Sequence, residues 1–141
     1  MAQPTCQQRI RAQYRSTMSD LRKLWKLYCK DSDASDEDLG SLYDYGLSFD
    51  YVAPETFNDQ DEGYFRYQLS WGGPSDEFRI YADSTGHGWS IYRMEYWFLD
   101  WFDGAHIEVS GKDREFLMEL LDSFFVECGS FDSEYDKAVN A

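Results

Sequence analysis

YFRYQLSWGGPSDEFRIY, residues 64–81, decides the fold. Phe65, Tyr67, Leu69 and Trp71 alternate with Tyr64, Arg66, Gln68 and Ser70, the period of two expected of a strand with one buried face. Gly72-Gly-Pro-Ser-Asp76 reads as a turn. Phe78, Ile80 and Ala82 then share one side, opposite Glu77, Arg79 and Tyr81. Two strands joined by so short a turn pair antiparallel.

Outward from this hairpin the same period continues. Upstream, Leu47, Phe49 and Tyr51 alternate with Ser48 and Asp50, and a polar, acidic loop fills Pro54 to Gly63. Downstream, Asp83-Ser-Thr-Gly-His-Gly88 reads as a turn, and Trp89 to Leu99 as a long strand apolar on both faces. Asp100 to Gly104 turns the chain into a short last strand, Ala105 to Val109. Short loops between consecutive strands favour a meander. One face is expected to carry Phe65, Tyr67, Leu69, Trp71, Phe78, Ile80, Tyr92, Met94, Tyr96 and Phe98. The other carries Arg66, Arg79 and Arg93 near Glu77 and Glu95, with Trp89 and Trp97. A one-residue slip exchanges the faces, so the alternation has to hold across all strands.

Helices flank the strands. Ile10, Tyr14, Met18, Leu21, Trp25 and Tyr28 recur at steps of three and four, widened by Leu24 and Leu27, which predicts an amphipathic helix. In the run Asp31 to Asp38, Ser35 is placed to cap a short second helix, with Asp36, Glu37 and Asp38 in its first turn. Near the end, Phe116, Leu117, Leu120, Leu121, Phe124, Phe125 and Cys128 form one stripe. Ser110 and Asp113 suggest a capping box at its start, and Gly129 is placed to stop it. The residues beyond Gly129 read as a loosely held acidic tail. The expected fold is therefore α+β. An antiparallel meander of four to five strands carries an N-terminal amphipathic helix and a C-terminal helix packed on the sheet. The boundaries are 1–30 basic helix, 31–45 acidic linker or short helix, 46–109 sheet, 110–129 helix and 130–141 tail, all in a single domain, 1–141.

Charge divides the chain at residue 30. The first thirty residues hold seven cations (Arg9, Arg11, Arg15, Arg22, Lys23, Lys26 and Lys30) against Asp20 alone. The other 111 residues hold six cations and 26 anions, and the whole carries −14. Disorder is excluded despite that charge, because 5 Trp, 11 Tyr and 10 Phe force collapse. No apolar run approaches the roughly 20 residues that cross a bilayer, and the N-terminus shows no apolar signal region. Three cysteines without CxxC spacing, Cys6, Cys29 and Cys128, fit reduced thiols and a cytoplasmic setting.

Reaction chemistry finds little support. Asp31, Asp33, Ser35 and Glu37 superficially resemble a calcium loop, but Asp36 and Leu42 stand where Gly and Glu are needed. His87 and His106 are isolated from the cysteines, against a zinc site. There is no GxSxG elbow, no SxxK, no phosphate loop and no dinucleotide fingerprint. With 27 acidic residues, a chance carboxylate pair carries no specificity for acid–base work. Arg66, Arg79 and Arg93 share a face and suggest an anion pocket, but cross-strand pairing with Glu77 and Glu95 is the favoured account.

The acidic surface remains. Asp31, Asp33, Asp36, Glu37 and Asp38 form one cluster, and Asp59, Asp61 and Glu62 a second. Asp76 and Glu77 follow, then Asp100 and Asp103. Carboxylates on such loops repel nucleic acid and attract the Lys- and Arg-lined channels of proteins that hold it. The basic N-terminal helix has the charge to touch nucleic acid, but with −14 on the whole chain the favoured readings are that it folds over this acidic body or joins a second copy as a homodimer.

The stretches YFRYQLSWGGPSDEFRIY (Tyr64–Tyr81) and YWFLDWFDGAHIEV (Tyr96–Val109) resemble those of small acidic accessory proteins carried on bacterial plasmids, phages and integrative elements. Such proteins are similar in type to antirestriction and anti-CRISPR inhibitors, some of which imitate DNA. The resemblance implies inhibition by binding, without cofactor or catalysis, and without a residue-level assignment. The basic helix departs from uniform mimicry. The expected function is a non-enzymatic inhibitor of a nucleic-acid-binding defence protein, such as a CRISPR complex or restriction enzyme. It would itself bind neither nucleic acid nor membrane. An immunity-type protein that neutralises a toxin, and a small enzyme acting on a polar ligand, are the alternatives.

Overall fold

In the computed structural model, which describes residues 5–72, 74–86, 88–100 and 103–140, every strand pairs with its neighbour in sequence. The strands are β1 (Ser48–Val52), β2 (Tyr64–Ser70), β3 (Ser75–Ser84), β4 (Trp89–Asp100) and β5 (Asp103–Glu108). All four pairings are antiparallel, so the expected α+β meander forms with five strands. The turn expected around His87 lies partly outside the described residues, as do Gly73 and the tip between β4 and β5.

The helices share one face of this sheet. α1 (Cys6–Lys30) starts at a complete capping box, with Thr5 Oγ1 accepting from the Gln8 N–H at 3.3 Å and Gln8 Oε1 accepting from the Thr5 N–H at 2.8 Å. Its buried residues Ile10, Met18, Leu21, Leu24 and Trp25 join Phe65, Tyr67, Phe78, Ile80, Met94, Tyr96 and Phe98 in one core. α3 (Gly111–Leu121) adds Leu117, Leu120 and Leu121, and a π-helical turn at Asp122–Val126 adds Phe125.

Four sequence expectations are corrected. Ser35 does not cap a helix. Asp36 Oδ1 accepts from the N–H groups of Asp38 and Leu39, and the Asp36 backbone pairs with Gly40, which closes a turn instead. The short helix α2 (Leu42–Tyr45) begins later, capped by Ser41. At Ser110 no side-chain cap forms, and the Asp113 carboxylate instead accepts from Tyr14 at 2.8 Å and pairs with Arg22 at 2.6 Å on α1. The tail beyond Gly129 is helical: α4 (Ser130–Val139) buries Phe131 completely.

The fourth correction concerns register. Tyr81 pairs with Arg93, but Ala82 pairs with Ile91, so Tyr92 is an extra residue in β4. This bulge sends Tyr92 outward, 42% exposed, and turns Ile91 and Trp89 onto the helix-covered side. Trp89 there meets Phe65 at 5.0 Å and Phe131 at 6.0 Å. Trp71 lies just past the end of β2, 79% exposed, and is not part of the core.

A second irregularity, between Gln68 and Ser70 opposite Asp76, places a carboxylate inside. Asp76 is 3% exposed, accepts from Tyr96 Oη at 2.5 Å, and also accepts from the Ser70 hydroxyl. Tyr96 is itself fully buried, so no water replaces that acceptor. Asp76→Leu is expected to cost about 1–3 kcal/mol, the penalty of an orphaned buried donor. Adding Tyr96→Phe is expected to recover part of it. Urea unfolding of the single and double variants checks both, and a double variant weaker by the sum of its parts would contradict the coupling.

Candidate functional site

Among the described residues, no helix covers the other face of the sheet. Strand alternation points Asp50, Arg66, Glu77, Arg79, Tyr81, Arg93, Glu95, Trp97, His106 and Glu108 to this side. A small satellite core of Val52, Tyr64 and Tyr81 sits under them. The three arginines expected here are present and all are held by carboxylates. Arg66 donates to both Asp50 oxygens at 3.0 and 2.7 Å, a bidentate pair that raises the Arg66 pKa further. Arg79 donates to Glu77 at 2.8 Å, and Glu77 is only 4% exposed. Arg93 pairs with Glu62 at 2.9 Å and lies 3.4 Å from Glu95.

Aromatic rings fix these guanidiniums in place. Arg79 lies 3.8 Å from the Trp97 ring centre and 4.8 Å from that of Tyr64, and Arg93 lies 3.9 Å from Tyr81. Trp97 stacks on His106 at 4.3 Å and donates from Nε1 to Glu95 at 3.0 Å. The arginines are thus paired with carboxylates, but not across strands with Glu77 and Glu95 as expected. Arg79 meets Glu77 and Arg93 meets Glu95 two residues away on the same strand, Asp50 is the one cross-strand partner, and Glu62 comes from the loop.

The loop at residues 53–63 makes this face concave. Gln60 organises it, donating to the carbonyls of Ala53 at 3.0 Å and Glu62 at 2.8 Å and accepting from the Phe57 N–H at 3.0 Å. Glu55 and Asp59 hold φ values of 63° and 58°, left-handed positions that cost energy for residues other than Gly. Glu62 reaches back over the sheet. Hydrogen bonds from Tyr92 (2.7 Å) and Arg93 hold its carboxyl below the usual range, and the same bond pushes the Tyr92 hydroxyl up to about 12. The loop and strands enclose a depression of about 480 Å³ that Asp59, Asp61, Glu62, Arg93, Trp97 and His106 help to line. Beside it a groove of about 560 Å³ runs past Arg66, Glu77 and Arg79 between Phe57 and Trp71, which are 53% and 79% exposed.

The twelve carboxylates singled out in the sequence do not form one surface. Asp76 and Glu77 are buried and engaged internally. Asp100 pairs with Arg9 at 2.6 Å, and Asp103 accepts from the Cys6 N–H at 2.7 Å, so both anchor the start of α1. Asp36 pairs with Lys23 at 2.8 Å, which keeps its carboxyl ionised below the ordinary range. Asp31, Asp33, Glu37 and Asp38 are exposed after α1, and Asp59 and Asp61 are exposed beside the uncovered sheet face. The basic helix thus folds onto its own acidic body. Arg11, Arg15, Lys26 and Lys30 remain exposed on its outer side.

What the sequence reading missed is the joint of sheet and loop: Phe57, Gln60, Tyr64 and Tyr92 around the paired arginines. The available signal was Tyr64, which falls on the polar side of the best strand while being aromatic. Among the described residues no group of three His, Cys, Asp or Glu side chains is arranged to hold a metal ion, and no helix is long and apolar enough to cross a membrane. Compared with known proteins, the chain matches no family model, and no match is found among curated proteins or solved structures.

Proposed function

We propose that the chain is a non-enzymatic acidic inhibitor that binds a protein with a basic, nucleic-acid-holding surface, such as a restriction enzyme or CRISPR effector, in the cytoplasm. One observation carries the reading: on the uncovered sheet face Arg66, Arg79 and Arg93 are each neutralised by a carboxylate of the chain itself, and the loop beside it adds Asp59 and Asp61, exposed and without an ion-pair partner among the described residues. A face of this kind repels phosphate and offers carboxylates to Lys and Arg. Phe57 and Trp71 at its rim supply the aromatic anchors that dominate affinity at protein interfaces. The free cysteines Cys6, Cys29 and Cys128 support a reducing compartment.

The test is capture of bacterial nucleases and CRISPR effectors on the immobilised protein, eluted stepwise with salt and, separately, with duplex DNA. Asp59→Lys with Asp61→Lys is expected to lower retention of the captured protein at least tenfold. DNA is expected to displace it. Retention that ignores salt, DNA and the double reversal would sink the proposal.

The exposure of Trp71 favours a second reading, an immunity-type protein that neutralises a toxin. There Trp71→Ala would abolish binding, and the charge reversals would change it little.

A further inference from the structure

On the helix-covered side of the sheet, a separate cavity of about 310 Å³ opens where α2, β1 and the π-helical turn meet. Aromatic rings make much of its wall, among them Tyr28, Tyr43, Phe49, Tyr67, Phe124 and Phe125, while serines, leucines, Gly46 and Cys128 complete the lining. The rings already brace one another. Tyr43 and Phe124 lie 4.9 Å apart, Tyr28 meets Phe124 edge-on at 5.3 Å, and Phe49 stacks on Phe125 at 4.4 Å. The π-helical turn widens the backbone there and presents Phe124 and Phe125 on successive positions. Turns of that kind recur at functional sites.

Tyr67 is the informative group. It is 3% exposed as a residue, and among the described residues its hydroxyl has no hydrogen-bonding partner, yet that oxygen is not one of the sealed, unpartnered atoms, so it is reached from the cavity it helps to line. Burial alone pushes its pKa up, so it stays a proton donor at any physiological pH. The neighbouring chain leaves it room: a Cβ at Gly46, another lining residue, would lie 2.1 Å from the Tyr67 ring and 2.9 Å from its hydroxyl oxygen. A ligand that brings an acceptor into the cavity takes the place of water at that hydroxyl.

We propose that this cavity binds a small planar aromatic molecule of one or two fused rings carrying a hydrogen-bond acceptor, with the Tyr67 hydroxyl as its donor. Size supports two rings, since an apolar cavity of about 150 Å³ already holds benzene. Chemistry separates such a molecule from the commonest anchoring side chains of a protein partner. Trp offers only an N–H donor and Phe no polar atom, so neither satisfies Tyr67. The site is independent of the sheet face assigned to the protein partner.

Quinoline and naphthalene, equal in shape but only one bearing an acceptor nitrogen, test this by NMR titration of the full chain and of Tyr67→Phe. Saturable shifts around the cavity are expected with both. Tyr67→Phe is expected to weaken quinoline about fivefold and to leave naphthalene unchanged, which also reports that the variant keeps its fold. Absence of saturable binding, or equal effects of the variant on both probes, overturns the proposal. Tighter binding of 3-methylindole, the Trp side chain alone, than of quinoline also overturns it, in favour of an inserted partner side chain.

Discussion

Between pH 10 and 12 the protein is expected to lose stability steeply, faster than its net charge alone would cause. Tyr67 and Tyr96 are the reason. Burial raises the pKa of both, and at Tyr96 the hydrogen bond to Asp76 and its negative charge raise it further. In the unfolded chain both ionise near pH 10. A folded-state pKa above the unfolded value means that the native protein binds more protons across the interval. The stabilisation is complete below pH 10 and is lost as pH rises towards the folded values. Each residue contributes a slope of about 1.4 kcal/mol per pH unit there, so the two together give about 3. Tyr14 and Tyr45, donors to Asp113 and Asp20 at 2.8 and 2.9 Å, shift in the same direction and steepen the fall. Urea unfolding at pH 9, 10 and 11 measures the slope. Tyr67→Phe is expected to flatten it by about 1.4 kcal/mol per pH unit, which separates this cause from the deprotonation of lysines. An unchanged slope in that variant would show that Tyr67 ionises as freely in the native state as outside it.

Phe131→Ala is expected to remove about 3–5 kcal/mol of stability. The side chain is fully buried, stacks on Phe65 at 4.1 Å, and meets Phe49 at 5.3 Å. It anchors α4, whose Tyr135 meets Tyr51 at 5.0 Å and whose Asp132 accepts from Trp89 Nε1 at 2.8 Å. Truncation leaves a cavity that the strands beneath are too rigid to fill. Lys137→Ala, which breaks only an exposed pair with Glu134, serves as the control and is expected to change stability by less than about 0.5 kcal/mol. A loss below about 1 kcal/mol for Phe131→Ala would mean that α4 is dispensable to the core.

The strands were legible because Phe65, Tyr67, Phe78, Ile80, Met94, Tyr96 and Phe98 obey a period of two, and that period depends only on backbone geometry. The failures fall where one side chain or one inserted residue overrides the period. Tyr92 and Trp89 were assigned to the wrong faces because a bulge leaves no mark in composition. α4 was missed because its acidic residues hide a single deeply buried ring, Phe131. At the candidate site, the arginines and their pairing with Glu77 were readable from the alternation. Glu62 and Asp50 were not, since their contacts depend on how the 53–63 loop folds back and on which strand lies beside β2. Charge was visible as a total and invisible as a distribution. Asp100 and Asp103 look like free acids in the sequence, but they bind the start of a helix some ninety-seven positions away (Cys6 to Asp103).

That last contact sets the order in which the chain can assemble. Strand follows strand, through short connections apart from the 53–63 loop, so each hairpin forms between near neighbours at small entropic cost. The amino-terminal helix is different, because its place is against the edge strand made last. On a ribosome the meander therefore has to emerge almost entire before the opening segment finds its seat. Until then Ile10, Leu21 and Trp25 wait in solvent, and the interval during which they are bare is when the nascent protein is most exposed to chaperones and proteases.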